Sequence, residues 1–373
     1  PMSWALTPAN DFVLCSTASI GAGLVPIPAA DWATHFSQRM VLPYGRDELI
    51  LSDILDAETY STIHSQLRIH PGTADWLVGA HPFQELQLLI LYRKSLHVLI
   101  LNENNLTISQ VYEITRDVGC AARKTIATCG NVICWLTDSG IYQLDISNQL
   151  KLRGQQLPLS DAIQDIADRI NFAHADQAVA TYFNNRYYLA VPLDDQTKNK
   201  TVLVYNFINQ SWESVDTFPG DFEVKAFAVL DYDGSQRLHA VSTVGFVYLL
   251  EELNVDEWGP PGDVNSYPLS GTFHTRHYLS GTYDLKAIKR VQIETNLTEY
   301  DAFTARFVTS NPDEEREILD YVADATTDVT HRKLVGLRGV SGGVEIETSA
   351  GRPEFRAVIV ESTDSNRKTV TYK

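Results

Sequence analysis

The chain has 373 residues, a formal net charge of −17 and 44 % hydrophobic residues, with 17 Tyr, 14 Phe and 6 Trp. That is enough apolar mass for a large core and a length that suggests two or three domains. The acidic balance argues against a protein that grips nucleic-acid phosphates through a basic face, and no run of about 18 apolar residues exists to form a membrane-spanning helix.

The first segment, PMSWALTPAN, lacks a charged region followed by an apolar stretch and does not read as a signal peptide. An opening Pro fits either removal of an initiator Met or a trimmed chain. The cysteines are Cys15, Cys120, Cys129 and Cys134, with no C-x-x-C pair. They read as free, mostly buried thiols of a chain made in a reducing cytosol, not as a zinc knuckle. On that reading the sequons at Asn105, Asn199, Asn209 and Asn296 are chance matches.

Short strand runs then follow one another. RMVLPYGRDELILSD (39–53) is a first clear unit, and residues 11–28 suggest a sixth ahead of it. WLVGAHPFQELQLLILYRKSLHVLIL (76–101) is the second. VGCAARKTIATCGNVICWLTDSGIYQLDI (118–146) reads as strand, turn, strand, turn, strand, with turns at Gly130-Asn131 and Asp138-Ser139-Gly140. AVATYFNNRYYLAVPLDDQTKNKTVLVYNF (178–207) and VKAFAVLDYDGSQRLHAVSTVGFVYLL (224–250) complete the series. A degenerate antiparallel unit recurring every ~40–50 residues is the sign of a β-propeller. A single such sheet cannot bury both faces, whereas a succession of them can.

One amphipathic helix of about 12 residues interrupts the strands. Pro158-Leu159-Ser160-Asp161 opens it, Ser160 or Asp161 is its N-cap, and Leu159, Ile163, Ile166, Ala167 and Ile170 form one face.

NVDEWGPPGDVNSYP (254–268) reads as a linker between a propeller domain, 1–253, and a second domain, 269–373. The second domain holds short alternating strands. VQIET places Val291, Ile293 and Thr295 on one face and Gln292 and Glu294 on the other, the pattern of a β-sandwich. The acidic stretch from Asn311 to Arg332 reads as an exposed loop or irregular edge. The fold class is therefore all-β: a propeller-like ring of five to six small antiparallel sheets followed by a C-terminal sandwich.

Motif chemistry is sparse. His274 and His277 point to opposite faces if they share a strand, so they do not converge on a metal. Asp231-Tyr232-Asp233-Gly234 resembles the start of a calcium loop but lacks the closing Glu, and reads as a hairpin turn. No H-E-x-x-H, G-x-S-x-G or P-loop string occurs. Propellers that cut sugars place a carboxylate pair at the central mouth; Asp53, Asp56 and Asp75 are the candidates here. No catalytic residue, cofactor or metal is otherwise expected.

Four segments in order carry a family resemblance: LILSDILDAETY (49–60), LQLLILYRKSLHVLIL (86–101), DVGCAARKTIATCGNVICWLTDSGIYQL (117–144) with the Pro-Leu-Ser start at 158–160, and NNRYYLAVPL with TVLVYNFINQSWE (184–213). The series resembles the propeller proteins of bacteriophage tails, in particular the hub or nozzle proteins of short-tailed phages. FHTRHY and LKAIKRVQIE resemble the sandwich that follows in that group. The resemblance implies a structural protein of the virion tail, assembled in the host bacterial cytoplasm as a homo-oligomer, a hexameric ring. Its partners would be the adaptor or portal ring and tail fibres or spikes. DNA would pass the channel without specific binding, and acidic residues of strand-linking turns, Asp194, Asp195, Asp231 and Asp233, would line it. Two other readings stand beside it: a baseplate or fibre-attachment propeller elsewhere on the virion, and a glycan-binding or glycan-cleaving propeller. A mouth combining a carboxylate pair with stacking aromatics would favour the last.

Overall fold

The computed structural model describes residues 24–69, 72–102, 106, 109–145, 158–218, 222–232, 234–243, 245–251, 270–277, 286–310, 315–351 and 353–364. It also places the short strand pairs Trp4–Leu6 with Phe12–Leu14 and Glu257–Trp258 with Tyr267–Pro268. The chain divides into two compact units, Pro1–Glu251 and Glu252–Lys373. Cys15, Asp233 and most of the expected 254–268 linker lie outside the described residues.

The fold is all-β. Among the described residues of the first unit, five small antiparallel sheets follow the Trp4–Leu6/Phe12–Leu14 pair along the chain. The first spans Leu24–Val25 to Gln66–Arg68. The second runs Leu77–Gln84, Gln87–Tyr92, Leu96–Ile100 and Gln110–Thr115. Ala127–Cys129, Val132–Thr137 and Gly140–Asp145 make the third. The fourth is Val179–Phe183, Arg186–Val191, Thr201–Asn206 and Ser211–Thr217, and the fifth is Val224–Tyr232, Ser235–Ser242 and Val247–Leu250. Turn chemistry sets the reversals. Asn184 and Asn185 both take positive φ, 47° and 60°, the pair a two-residue hairpin turn demands, and Gly130 does the same at φ 62°.

The strand pattern explains the packing. In Val132–Thr137 every residue after Val132 is buried, because both faces of the third sheet are covered. Ile133 and Trp135 face a core shared with Leu89, Leu91 and Val98 of the second sheet. Cys134 and Leu136 face a core shared with Tyr187, Leu189 and Leu203 of the fourth. A third core joins Leu49 and Leu51 of the first sheet to Leu88 and Ile90 of the second. Face-to-face stacking of successive small sheets is the propeller-like arrangement. The first strands of the sheets also neighbour one another: Thr34–Phe36 with Leu77–Gln84, Ala127–Cys129 with Val179–Phe183, and Val179–Phe183 with Val224–Tyr232.

The expected 12-residue helix is two shorter pieces, a 3-10 turn Leu159–Ile163 and one α-turn Gln164–Ala167. Its apolar face is as the periodicity drew it: Leu159, Ile163, Ile166 and Ile170 pack on the core between the third and fourth sheets. The capping differs. Pro158 precedes the first turn and no side chain caps it. Ser160 is buried, and its hydroxyl accepts the Ile141 N–H at 3.1 Å. The side chain read as a cap is spent on a strand, which leaves the helix start unsupported.

The second unit is a two-sheet sandwich. One sheet has the order Gly271–His274, Gly342–Ala350, Ala302–Thr309, Glu315–Val322; the other is Thr327–Gly339, Lys286–Leu297, Glu354–Asp364. Val291, Ile293 and Leu297 from one sheet meet Phe303, Phe307, Val344 and Ile346 from the other. The acidic stretch 311–332 is no loop: it supplies the strand Glu315–Val322 and the start of Thr327–Gly339. Glu315–Val322 sits at a sheet edge and inserts Leu319 into the core while its acidic residues face out. Alternation of few apolar residues among many charges hid the strand, and the charges guard the edge against pairing with other chains.

Candidate functional site

In the first unit, one end of the sheets gathers the starts of the first strands and the turns joining second to third strands. Arg46 and Asp47 precede Glu48–Asp53, and the Arg46 carbonyl accepts the Leu77 N–H, the start of the second sheet. Val224, the start of the fifth sheet, donates its N–H to Asn199 O at 2.9 Å. This loop end is the candidate site.

A short repeat marks it. Ala30-Asp31-Trp32 precedes the strand Thr34–Phe36, Ala74-Asp75-Trp76 precedes Leu77–Gln84, and Ala175-Asp176-Gln177 precedes Val179–Phe183. Aligning the strand units on their first strands would have exposed it; reading the units for apolar runs alone passed over it.

Asp75 shows what the motif does. Its carboxylate accepts the Trp76 N–H at 3.0 Å, the Lys94 N–H at 3.1 Å and the Ser95 hydroxyl at 2.8 Å. The Ser95 hydroxyl also meets His97 Nε2 at 3.1 Å. One carboxylate thus clasps the start of the first strand to the turn between the next two. In the fourth sheet amides do the same work. Asn199 Nδ2 donates to the carbonyls of Gln177 at 2.7 Å and Val224 at 3.0 Å, and Gln177 Nε2 donates to Thr197 O at 3.0 Å.

Between second and third sheets the clasp is cationic. Arg93 Nη1 donates to Ala121 O at 2.8 Å, and Nη2 pairs with Asp138 Oδ1 at 2.5 Å. Gly119 is required beside it, since a Cβ there would stand 2.1 Å from the Arg93 carbonyl oxygen. Further round, Arg169 holds Asp194 bidentately at 2.9 and 2.7 Å. This fork keeps the Asp194 carboxyl below its ordinary value.

Two indoles lie at this end. Trp76 is 47 % exposed. Trp32 packs against the core shared by the first and second sheets, with the Arg123 guanidinium 5.9 Å from its ring centre. The Arg123 stem crosses Gly79, where a Cβ would stand 2.7 Å from Arg123 Cγ. Burial pulls the Arg123 guanidinium down from its ordinary value, while Asp31 acts in the opposite direction.

The sequence candidates do not converge. Asp75 is at the loop end, but Asp53 and Asp56 flank the turn at the far end of Glu48–Asp53, about 20 Å along the strand from Asp47. Asp56 caps its own turn, accepting the Glu58 N–H and the Thr59 hydroxyl, which hold its carboxyl low. Asp194 and Asp195 are exposed at the loop end. Asp231 is exposed near the other end of Val224–Tyr232, seven residues beyond the start that touches Asn199, roughly 23 Å away. The expected acidic lining therefore splits between two ends, because first-to-second and second-to-third turns of a meander lie at opposite ends of its strands. His274 lies 3.8 Å from Glu345 on an exposed edge strand, whereas His277 follows that strand and lies against Gly343. Among the described residues no group of three or more His, Cys, Asp or Glu is placed to hold a metal ion. Cys120, Cys129 and Cys134 are buried free thiols, and burial pushes Cys120 up to about 12.

No protein-family model and no curated protein matches the chain. Among solved structures it is similar to a dihydro-heme d1 dehydrogenase, with TM-score 0.39 and 12 % identity over 81 % of this chain; it spans 56 % of that one. It is similar to an exo-β-1,3-galactanase of Phanerochaete chrysosporium, with TM-score 0.33 and 9 % identity over 96 % of this chain and 100 % of that one. A chain of a mitotic checkpoint complex gives TM-score 0.39 and 9 % identity over 83 % and 87 % of the two chains. Scores and identities this low assign neither family nor ligand.

Proposed function

We propose that this chain is a non-enzymatic structural protein of a virion tail, a nozzle or hub that assembles into a ring through which a genome passes. The observation that supports it is the use of charge at the loop end. Asp75, Asp138 and Asp194 are each committed to donors that tie strand starts and turns together. Such clasps make a rigid body, which loses little freedom when copies assemble into a symmetric ring. A net charge of −17 per chain suits a conduit that repels a DNA backbone. Native mass spectrometry and negative-stain electron microscopy of the purified chain test the reading. The expected result is a closed ring that does not retain duplex DNA at physiological salt. A monomer at every concentration, or tight salt-sensitive DNA binding, overturns it.

The second reading, a glycan-binding propeller, is favoured by the exposed Trp76 and the Trp32–Arg123 stack at the same end. An indole face with nearby cationic and acidic groups suits a sugar ring. Titration of tryptophan fluorescence with neutral and acidic oligosaccharides tests it. Saturable quenching that Trp76→Ala abolishes would favour this reading over the conduit.

A further inference from the structure

The fifth sheet has two unlike faces. Phe227, Ala240 and Tyr248 share the face turned to the fourth sheet: Phe227 packs on Tyr188, Tyr248 packs on Phe222, and Ala240 is fully buried. The opposite face carries Ala226, Ala228, Leu230, Val241, Val247 and Leu249, with His239 and Arg237 of the central strand among them. It is mainly apolar, and Leu230 is 49 % and Val247 55 % exposed. In a stack where each sheet is covered by the next, this face is the place of a further sheet.

The chain offers a segment of the right kind. Trp4–Leu6 and Phe12–Leu14 pair as an antiparallel hairpin with the apolar sequences WAL and FVL, inside the same compact unit. Two strands alone cannot bury an apolar face and need a sheet to sit on. Tether geometry also agrees. Leu24–Val25 pairs with Asp56–Ser61, and Val25, Ile27 and Ala30 cover the outward face of the first sheet. The hairpin is thus tethered beside the first sheet's outward face, on a lead of about ten residues that reaches at most roughly 33 Å. We propose that the hairpin Trp4–Leu6/Phe12–Leu14 seats on the free face of the fifth sheet and supplies a sixth sheet, which closes the succession between its last and first members.

Cysteine cross-linking tests this on the full chain in a Cys15→Ser background. Ala5→Cys or Phe12→Cys, one on each face of the hairpin, is combined with Ala228→Cys or Leu249→Cys. The expected result is that one hairpin face forms an intramolecular disulfide under mild oxidation, at a yield independent of protein concentration. Cross-links between chains only, or none from any combination, overturn the proposal; the former would make the face a contact between copies. Deletion of residues 1–16 is the second test. Amide protection should be lost in Ser235–Ser242 and Val247–Leu250 while Gln87–Tyr92 keeps its protection. Unchanged protection of the fifth sheet overturns the proposal.

Discussion

Trp135 shows how much one residue carries in this architecture. It is fully buried, and its indole N–H donates to Gly119 O at 2.9 Å. Trp135→Ala should destabilise the first unit by about 3–5 kcal/mol, whereas Trp135→Phe should lose mainly one hydrogen bond, about 1 kcal/mol, plus a modest packing defect. Denaturant unfolding measures both; equal losses would show that the cavity and the indole donor are not separable. His81 gives a pH-dependent case. Its Nε2 lies 2.7 Å from the Thr128 hydroxyl, between the first strands of two sheets, and burial holds its pKa below the ordinary value. Between the folded and unfolded values the unfolded chain binds more protons, so stability rises with pH there. This contribution is complete above the unfolded value of about 6.5 and is lost as pH falls through the folded one. His331 in the second unit is lowered in the same direction by burial and then by Lys333. His81→Gln should flatten the slope of stability against pH below about 6.5 in the first unit, read from melting curves; an unchanged slope would remove His81 as its source.

At the scale of elements, the clasps decide how sheets hold each other. Arg93→Ala removes both the Asp138 pair and the bond to Ala121 O. It should cost about 1.5–3 kcal/mol, most of it from the partly buried carbonyl bond, since the half-exposed pair contributes about 1 kcal/mol or less after screening. Asp138→Ala alone should therefore cost clearly less than Arg93→Ala. Gly119→Ala should cost about 1–3 kcal/mol through overpacking against the Arg93 backbone, with faster hydrogen exchange concentrated where the second and third sheets meet. The apolar runs of 86–101 and 132–136 were legible in the sequence as strands; that both their faces are buried came from the packing of neighbouring sheets. The helix was legible in its face and not in its length, because Ser160 hydrogen-bonds a residue 19 positions away that local patterning does not reveal. The strand Glu315–Val322 was masked by its own edge charges.

For the whole molecule, each unit has a core that draws only on its own residues. Residues 269–373 expressed alone should unfold cooperatively, since Phe303, Phe307, Val291 and Ile293 complete their core without the first unit. A non-cooperative melt would make the sandwich dependent on the propeller-like part. Composition, turn residues and the recurrence of strand units were enough to establish an all-β chain with propeller-like and sandwich parts, because alternation and tight turns are local properties of the backbone. They also suggested acidic turns as one functional group. Only the tertiary arrangement separated Asp231 from Asp194, tied Asp75 and Asp138 into clasps, and left Leu230 and Val247 exposed on one face of the fifth sheet. Those facts depend on which end of a sheet each turn occupies and on which donors long-range packing brings to each carboxylate, and neither is written in the spacing of residues along the chain.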